Sequence, residues 1–276
     1  MNLFLRNNIK IIGDVGPTVI LSHGFGCDQT MWRYLTPKLA KDYTLVLYDL
    51  VGSGQSDLTM YSYEKYNELD GYAEDLLEII GEVSPDAPVI FIGHSVSASI
   101  GLLASVAHPD KFLCQIMVSP SPCFTNDADY TGGFSKADIN ELCETIDSNY
   151  LGWSSNMAPA IMGAPTQPEL GEELSNSFCR TDPDIAQHFA RVTFLADHRA
   201  LLPQCHTPTL ILQCTDDFIA PCSVGEFMQA TLPQSTLTLI DNVGHCPHMS
   251  APQACYEAID SYLNNTIVSA RSAHDT

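Results

Sequence analysis

The stretch Pro88-Val89-Ile90-Phe91-Ile92-Gly93-His94-Ser95-Val96-Ser97 decides the fold. Its first half is an apolar run short enough for a strand buried on both faces, and the small-residue segment 96–107 that follows reads as a helix. Between them, Gly93-His94-Ser95-Val96-Ser97 approximates G-x-S-x-G, the pattern that sets a serine on a sharp strand-to-helix turn. A serine hydroxyl is a weak nucleophile until a base removes its proton and the geometry exposes its oxygen. The turn supplies the exposure and aims the first helical N–H groups at the reacting centre. Ser97 stands where the pattern has its last glycine, still small but carrying a Cβ. A chance serine in an ordinary βα turn is the competing explanation, and the rest of the chain decides between them.

Such a hydroxyl needs a histidine in hydrogen-bond reach and a carboxylate to orient that histidine. In sheet-based hydrolases the order along the chain is serine, acid, histidine, each after a strand. Asp217 follows the apolar run 209–214, and His245 follows the run 236–241 in Asn242-Val243-Gly244-His245. Asp216 is the rival acid; the distance of Asp217 from Pro221 favours Asp217. His94 is nearest to Ser95 in sequence, but inside the turn it cannot swing over the hydroxyl, and His248 reads as structural. Two backbone donors would hold the oxyanion, Val96 directly after the nucleophile and Phe25 in the glycine-flanked loop His23-Gly24-Phe25-Gly26.

Working outward, apolar runs alternate with helical periodicity, the signature of an α/β fold with a mostly parallel central sheet and helices on both faces. Strands are expected over 18–22, 43–49, 88–92, 112–119, 209–214 and 236–241, with helices over 72–83, 96–107 and 251–263. Residues 122–202 have no strong strand but several helix-like pieces rich in Phe, Trp and Met. The expected organisation is a core of 1–121 and 203–264, a helical lid of 122–202 over the carboxyl ends of the strands, and a disordered tail of 265–276.

Composition narrows the partners. With 12 basic and 33 acidic residues among 276, the net charge is −21, which repels phosphate backbones and anionic lipid, so neither nucleic acid nor membrane is expected. No basic leader with a long apolar core and no membrane-length apolar run is present, and the 10 cysteines contain no Cys-x-x-Cys pair, so a cytoplasmic protein with reduced thiols is expected. In His245-Cys246-Pro247-His248 the proline and tight spacing suit a turn better than tetrahedral zinc. Neither metal nor cofactor enters this reading.

On His23-Gly24-Phe25-Gly26-Cys27-Asp28-Gln29, Asp49-Leu50-Val51-Gly52-Ser53-Gly54, the turn around Ser95, Ser119-Pro120-Ser121-Pro122-Cys123, Tyr150-Leu151-Gly152-Trp153 and Gly244-His245-Cys246-Pro247-His248-Met249-Ser250, the chain resembles the α/β-hydrolases over nearly its whole length. Within them it resembles the RsbQ-like bacterial stress-response regulators. The plant karrikin and strigolactone receptor hydrolases are similar to the same group and carry serine at the position of Ser97, where RsbQ-type chains more often carry glycine. The resemblance implies a Ser-His-Asp triad, a lid of four helices, a small hydrophobic pocket and a signalling role. For the RsbQ-like group that role is activation of a PAS-domain protein phosphatase.

The pocket is expected to be lined by Phe25, Phe134, Trp153, Phe194 and Phe218, which favours a small, uncharged ester, lactone or enol-ether butenolide. The primary expectation is an esterase-like serine hydrolase acting as an RsbQ-like signalling regulator. The alternatives are a butenolide hydrolase of the hormone-receptor type and a general carboxylesterase. A cofactor-free haloperoxidase on the same site ranks below these, and Ser95 in place of a carboxylate disfavours a haloalkane dehalogenase.

Overall fold

The computed structural model describes the backbone of residues 2–274 and the side chains of residues 2–266. Strands β1 (Lys10–Ile12), β2 (Thr18–Ser22), β3 (Thr44–Tyr48), β4 (Val89–His94), β5 (Phe112–Val118), β6 (Thr209–Asp216) and β7 (Ser235–Val243) form one sheet in the order β1-β3-β2-β4-β5-β6-β7. All neighbours pair in parallel except β1, which runs antiparallel to β3. This is the expected α/β-hydrolase architecture. β1 escaped the sequence reading because Lys10-Ile11-Ile12 is three exposed residues with no periodicity to detect.

Helices α1 (Asp70–Val83) and α2 (Val96–Ala107) follow β3 and β4, while α3 (Lys136–Met162), α4 (Pro168–Arg180) and α5 (Pro183–Phe194) fill the interval between β5 and β6. Helices α6 (Cys222–Thr231) and α7 (Pro252–His274) follow β6 and β7. Alternate residues of the central strands feed opposite cores. Val19, Leu21, Ile90 and Ile92 pack with Trp32, Leu35, Ile259 and Leu263 on one face. Ile20, Val46 and Phe91 pack with Leu76, Ile80 and Ile100 on the other. Both faces are covered, which is why the strands read as unbroken apolar runs, each buried aliphatic side chain contributing about 1.5–3 kcal/mol.

Helix α3 starts at a capping box in which Ser135 Oγ accepts from the Asp138 N–H and Asp138 returns the bond. At Asn149 its backbone leaves helical geometry (φ −157°, ψ 69°), and the Asn149 carboxamide oxygen accepts the Gly152 N–H at 3.0 Å, capping a new helical start. Prolines in the first turn start α4 and α5.

The expected loose tail over 265–276 needs correction. Helix α7 continues past Leu263 to His274, and no glycine or proline between Asn264 and His274 stops it. The remainder of that tail, 275–276, lies outside the described residues. Among the described residues no helix is long and apolar enough to cross a membrane.

Candidate active site

The loops after β2, β4, β6 and β7 converge above the carboxyl ends of the strands. Ser95 follows β4 directly with φ +54° and ψ −119°, a left-handed conformation that costs about 1–3 kcal/mol in a residue with a side chain. The surroundings hold it there. The Ser95 N–H donates to the Val118 carbonyl at 2.9 Å. At Gly93 an added Cβ would lie 2.7 Å from the Ser97 backbone, so only glycine lets β4 and α2 approach this closely. Ser97, the departure from the pattern, is fully buried; its hydroxyl donates to the His23 carbonyl at 2.5 Å and shares a 2.8 Å bond with the Ser22 hydroxyl. Its extra Cβ therefore brings a tie between α2 and the loop carrying Phe25.

His245 Nε2 lies 2.7 Å from Ser95 Oγ, and His245 Nδ1 lies 2.6 Å from Asp217 Oδ2. A carboxylate accepts, so Nδ1 carries the proton and Nε2 is left to accept from the serine hydroxyl. Asp217 Oδ1 accepts the N–H groups of Ile219 and Ala220 at 2.9 and 3.2 Å, which fixes the carboxylate before it meets the imidazole. All three side chains are buried. Asp216, the rival, is exposed, and it meets this loop through its backbone carbonyl, which accepts the Gly244 N–H at 2.7 Å. The His245 N–H in turn donates to the Ile161 carbonyl at 2.8 Å, so the end of α3 seats the loop that carries the imidazole.

His94 does not face the hydroxyl. Its Nε2 donates to the His245 backbone carbonyl at 2.8 Å, and an added Cβ at Gly24 would meet its ring, so it fills the space between the Phe25 loop and the His245 loop. Burial, with His248 and His245 nearby, holds His94 well below the ordinary imidazole range. His248 packs between the rings of Trp32 and His94, tilted against both with centroids 4.6 and 4.5 Å away, and burial pushes its pKa down to about 3. The backbone N–H groups of Phe25 and Val96 make no hydrogen bond within the described residues, and both flank the Ser95 turn.

A cavity with about 30 Å³ of free volume lies over Ser95 and His245. Of the five residues named for a pocket, Phe25, Trp153 and Phe194 line it. Two expected residues do not. Phe218 is 43% exposed: with Asp217 capping the next two N–H groups, the chain turns so that Ile219 faces the cavity instead. Phe134 is half-buried and pins its neighbour through its backbone, its N–H donating to the Phe124 carbonyl at 3.1 Å; Phe124 is the ring that reaches the cavity. Ile161, Leu174 and Phe178 complete the apolar roof, and Phe178 stacks on Trp153 with centroids 5.7 Å apart and an angle of 2°.

The cavity also holds Cys27, Cys246 and Thr193, none of which the sequence reading placed there. Burial raises both thiols, so they stay neutral and serve as small apolar lining. Their positions beside Phe25 and His245 in sequence were a usable signal for the cysteines; nothing local marks Thr193.

Residues 19–258 match the Alpha/beta hydrolase family. The chain is 36% identical to Karrikin insensitive 2 receptor CA of Petunia hybrida over 262 residues, covering 95% of this chain and 97% of the relative. It is 34% identical to the strigolactone esterase D14 of Arabidopsis thaliana, covering 91% and 94%. Among solved structures, a hydrolase from Oleispira antarctica is similar at 45% identity with a TM-score of 0.92, covering 96% of this chain and 97% of that one.

Proposed function

Given that this chain belongs to the alpha/beta hydrolase family, we propose that it is a serine hydrolase of small, uncharged, largely apolar esters or lactones. The observation that carries this reading is the relay Ser95–His245–Asp217, closed by bonds of 2.7 and 2.6 Å beneath an apolar cavity. Ser95 Oγ attacks the carbonyl carbon while His245 Nε2 takes its proton. Asp217 keeps the imidazole in the required tautomer and stabilises the imidazolium. The oxyanion accepts from the N–H groups of Phe25 and Val96, each worth a few kcal/mol in such a site. His245 then protonates the departing alkoxide, and water, activated by the same imidazole, releases the acyl group.

Within that class, a butenolide hydrolase of the hormone-receptor type is the better-supported reading, since the karrikin receptor and strigolactone esterase are similar over more than nine-tenths of both chains. It displaces the RsbQ-like grouping as first choice. Activation of a PAS-domain phosphatase in the cytoplasm remains the alternative signalling proposal, resting on the sequence motifs alone.

Mass spectrometry after a serine-reactive phosphonate tests the chemistry. One adduct on Ser95, absent in Ser95→Ala, is expected; labelling elsewhere, or none, overturns the proposal. A burst of acyl-enzyme followed by slow turnover on butenolide substrates separates the receptor-type reading from a general carboxylesterase, which turns over steadily on many esters.

A further inference from the structure

Thr193 sits in the last turn of α5, only 2% exposed, and lines the cavity that contains Ser95 and His245. A buried helical hydroxyl ordinarily bonds the carbonyl one turn back. The buried Ser154 does this, its Oγ donating to the Tyr150 carbonyl at 2.7 Å, and so do the half-buried Thr231 to Phe227 and even the exposed Thr145 to Glu141, each at 2.7 Å. Thr193 Oγ1 has no partner among the described residues. An unpaired hydroxyl in an apolar enclosure is destabilising, whereas valine would fill nearly the same volume without a polar atom. Apart from Ser95 and the imidazoles of His94 and His245, the cavity that Thr193 lines is built from aromatic and aliphatic side chains and two neutral thiols.

We propose that Thr193 is a substrate-binding residue, its hydroxyl donating to a second oxygen of the ligand while the reacting carbonyl sits at Ser95. The substrate class is thereby narrowed to small esters or lactones with a further acceptor oxygen, such as an ether, enol ether or second carbonyl. A site that supplies one buried donor discriminates against the analogue that leaves it unpaired. This rests on the cavity being the substrate site of a hydrolase.

The test uses pairs of para-nitrophenyl esters in which one methylene is exchanged for oxygen: butanoate against methoxyacetate, and pentanoate against beta-methoxypropanoate. Intrinsic reactivity cancels when each kcat/KM ratio is compared between wild type and variant. In Thr193→Val the preference for the oxygen-containing member of at least one pair should fall by about tenfold, and Thr193→Ser should retain it. The ligand-free Thr193→Val protein should unfold at an equal or higher temperature, which a hydroxyl with a structural role would not allow. If wild type hydrolyses the esters but neither ratio moves by more than about twofold, or if Thr193→Val lowers Tm by several degrees, Thr193 does not recognise substrate and the hydrolase reading stands. If wild type is no faster than Ser95→Ala, the hydrolase reading fails and this inference falls with it.

Discussion

The imidazole of His94 donates from Nε2 to the backbone carbonyl of His245 at 2.8 Å, so the residue before the nucleophile holds the loop that carries the base. The bond spans β4 and the segment after β7, two places 151 residues apart in sequence. Small displacements of a catalytic base are costly because proton transfer needs the donor and acceptor within hydrogen-bond reach. His94→Ala should therefore lower kcat by roughly 10- to 100-fold with little change in KM. His94→Gln, which can still donate to the His245 carbonyl, should recover part of the loss. Steady-state kinetics on one ester decides this; an unchanged kcat in His94→Ala would remove His94 from the positioning of the base.

The two adjacent carboxylates have separable roles. Asp217→Asn should reduce kcat by on the order of a thousandfold or more, because an amide no longer enforces the tautomer that leaves Nε2 unprotonated. Asp216→Asn should leave kcat within about twofold, since the structure uses the Asp216 backbone rather than its exposed side chain. Comparable losses in both variants would contradict the assignment of Asp217.

Acid should destabilise the protein through its buried imidazoles. His94 and His248 have lowered folded-state pKa values, His248 about 3, against an ordinary value of 6.5. Below about pH 6.5 the unfolded chain binds protons that the folded chain refuses, so stability falls as pH falls, by up to about 1.4 kcal/mol per pH unit for each histidine, until the folded value is reached. Among the described residues His248 has no hydrogen-bond partner at either ring nitrogen, so His248→Leu, close in volume, should flatten this acid limb. Urea midpoints at pH 7, 5.5 and 4 on both proteins would reveal it; parallel curves would assign the acid sensitivity elsewhere.

The cavity over Ser95 is roofed by aromatic rings, so the bulk of the acyl group it accepts depends on those rings. Phe178, on α4, is one ring whose loss would open space there, because it lines the cavity, stacks on Trp153 and sits against Phe25 at 5.8 Å. Phe178→Ala should cost about 3–5 kcal/mol of stability while raising kcat/KM for bulkier acyl groups relative to acetate. An unaltered acyl-length profile in a folded variant would mean that Phe178 does not limit the space available.

The sequence alone determined the sheet apart from its exposed edge strand β1, because strands buried on both faces must be written as continuous apolar runs and the turns between them need glycine or proline. It also marked Ser95, Asp217 and His245, since each must follow a strand and their chemistry admits few residue types. Local pattern could not say which aromatic rings reach the cavity. Phe218 and Ile219 are equally apolar, and the Asp217 cap decides which of them turns inward; Phe124 and Phe134 are likewise sorted by a backbone pairing between distant points of one loop. Thr193 and His94 acquire their meaning only from what surrounds them, an unpaired hydroxyl facing an apolar space and an imidazole reaching a carbonyl 151 residues away. Periodicity encodes burial, which is a property of one element, whereas a site is a relation between elements and exists only once they are packed.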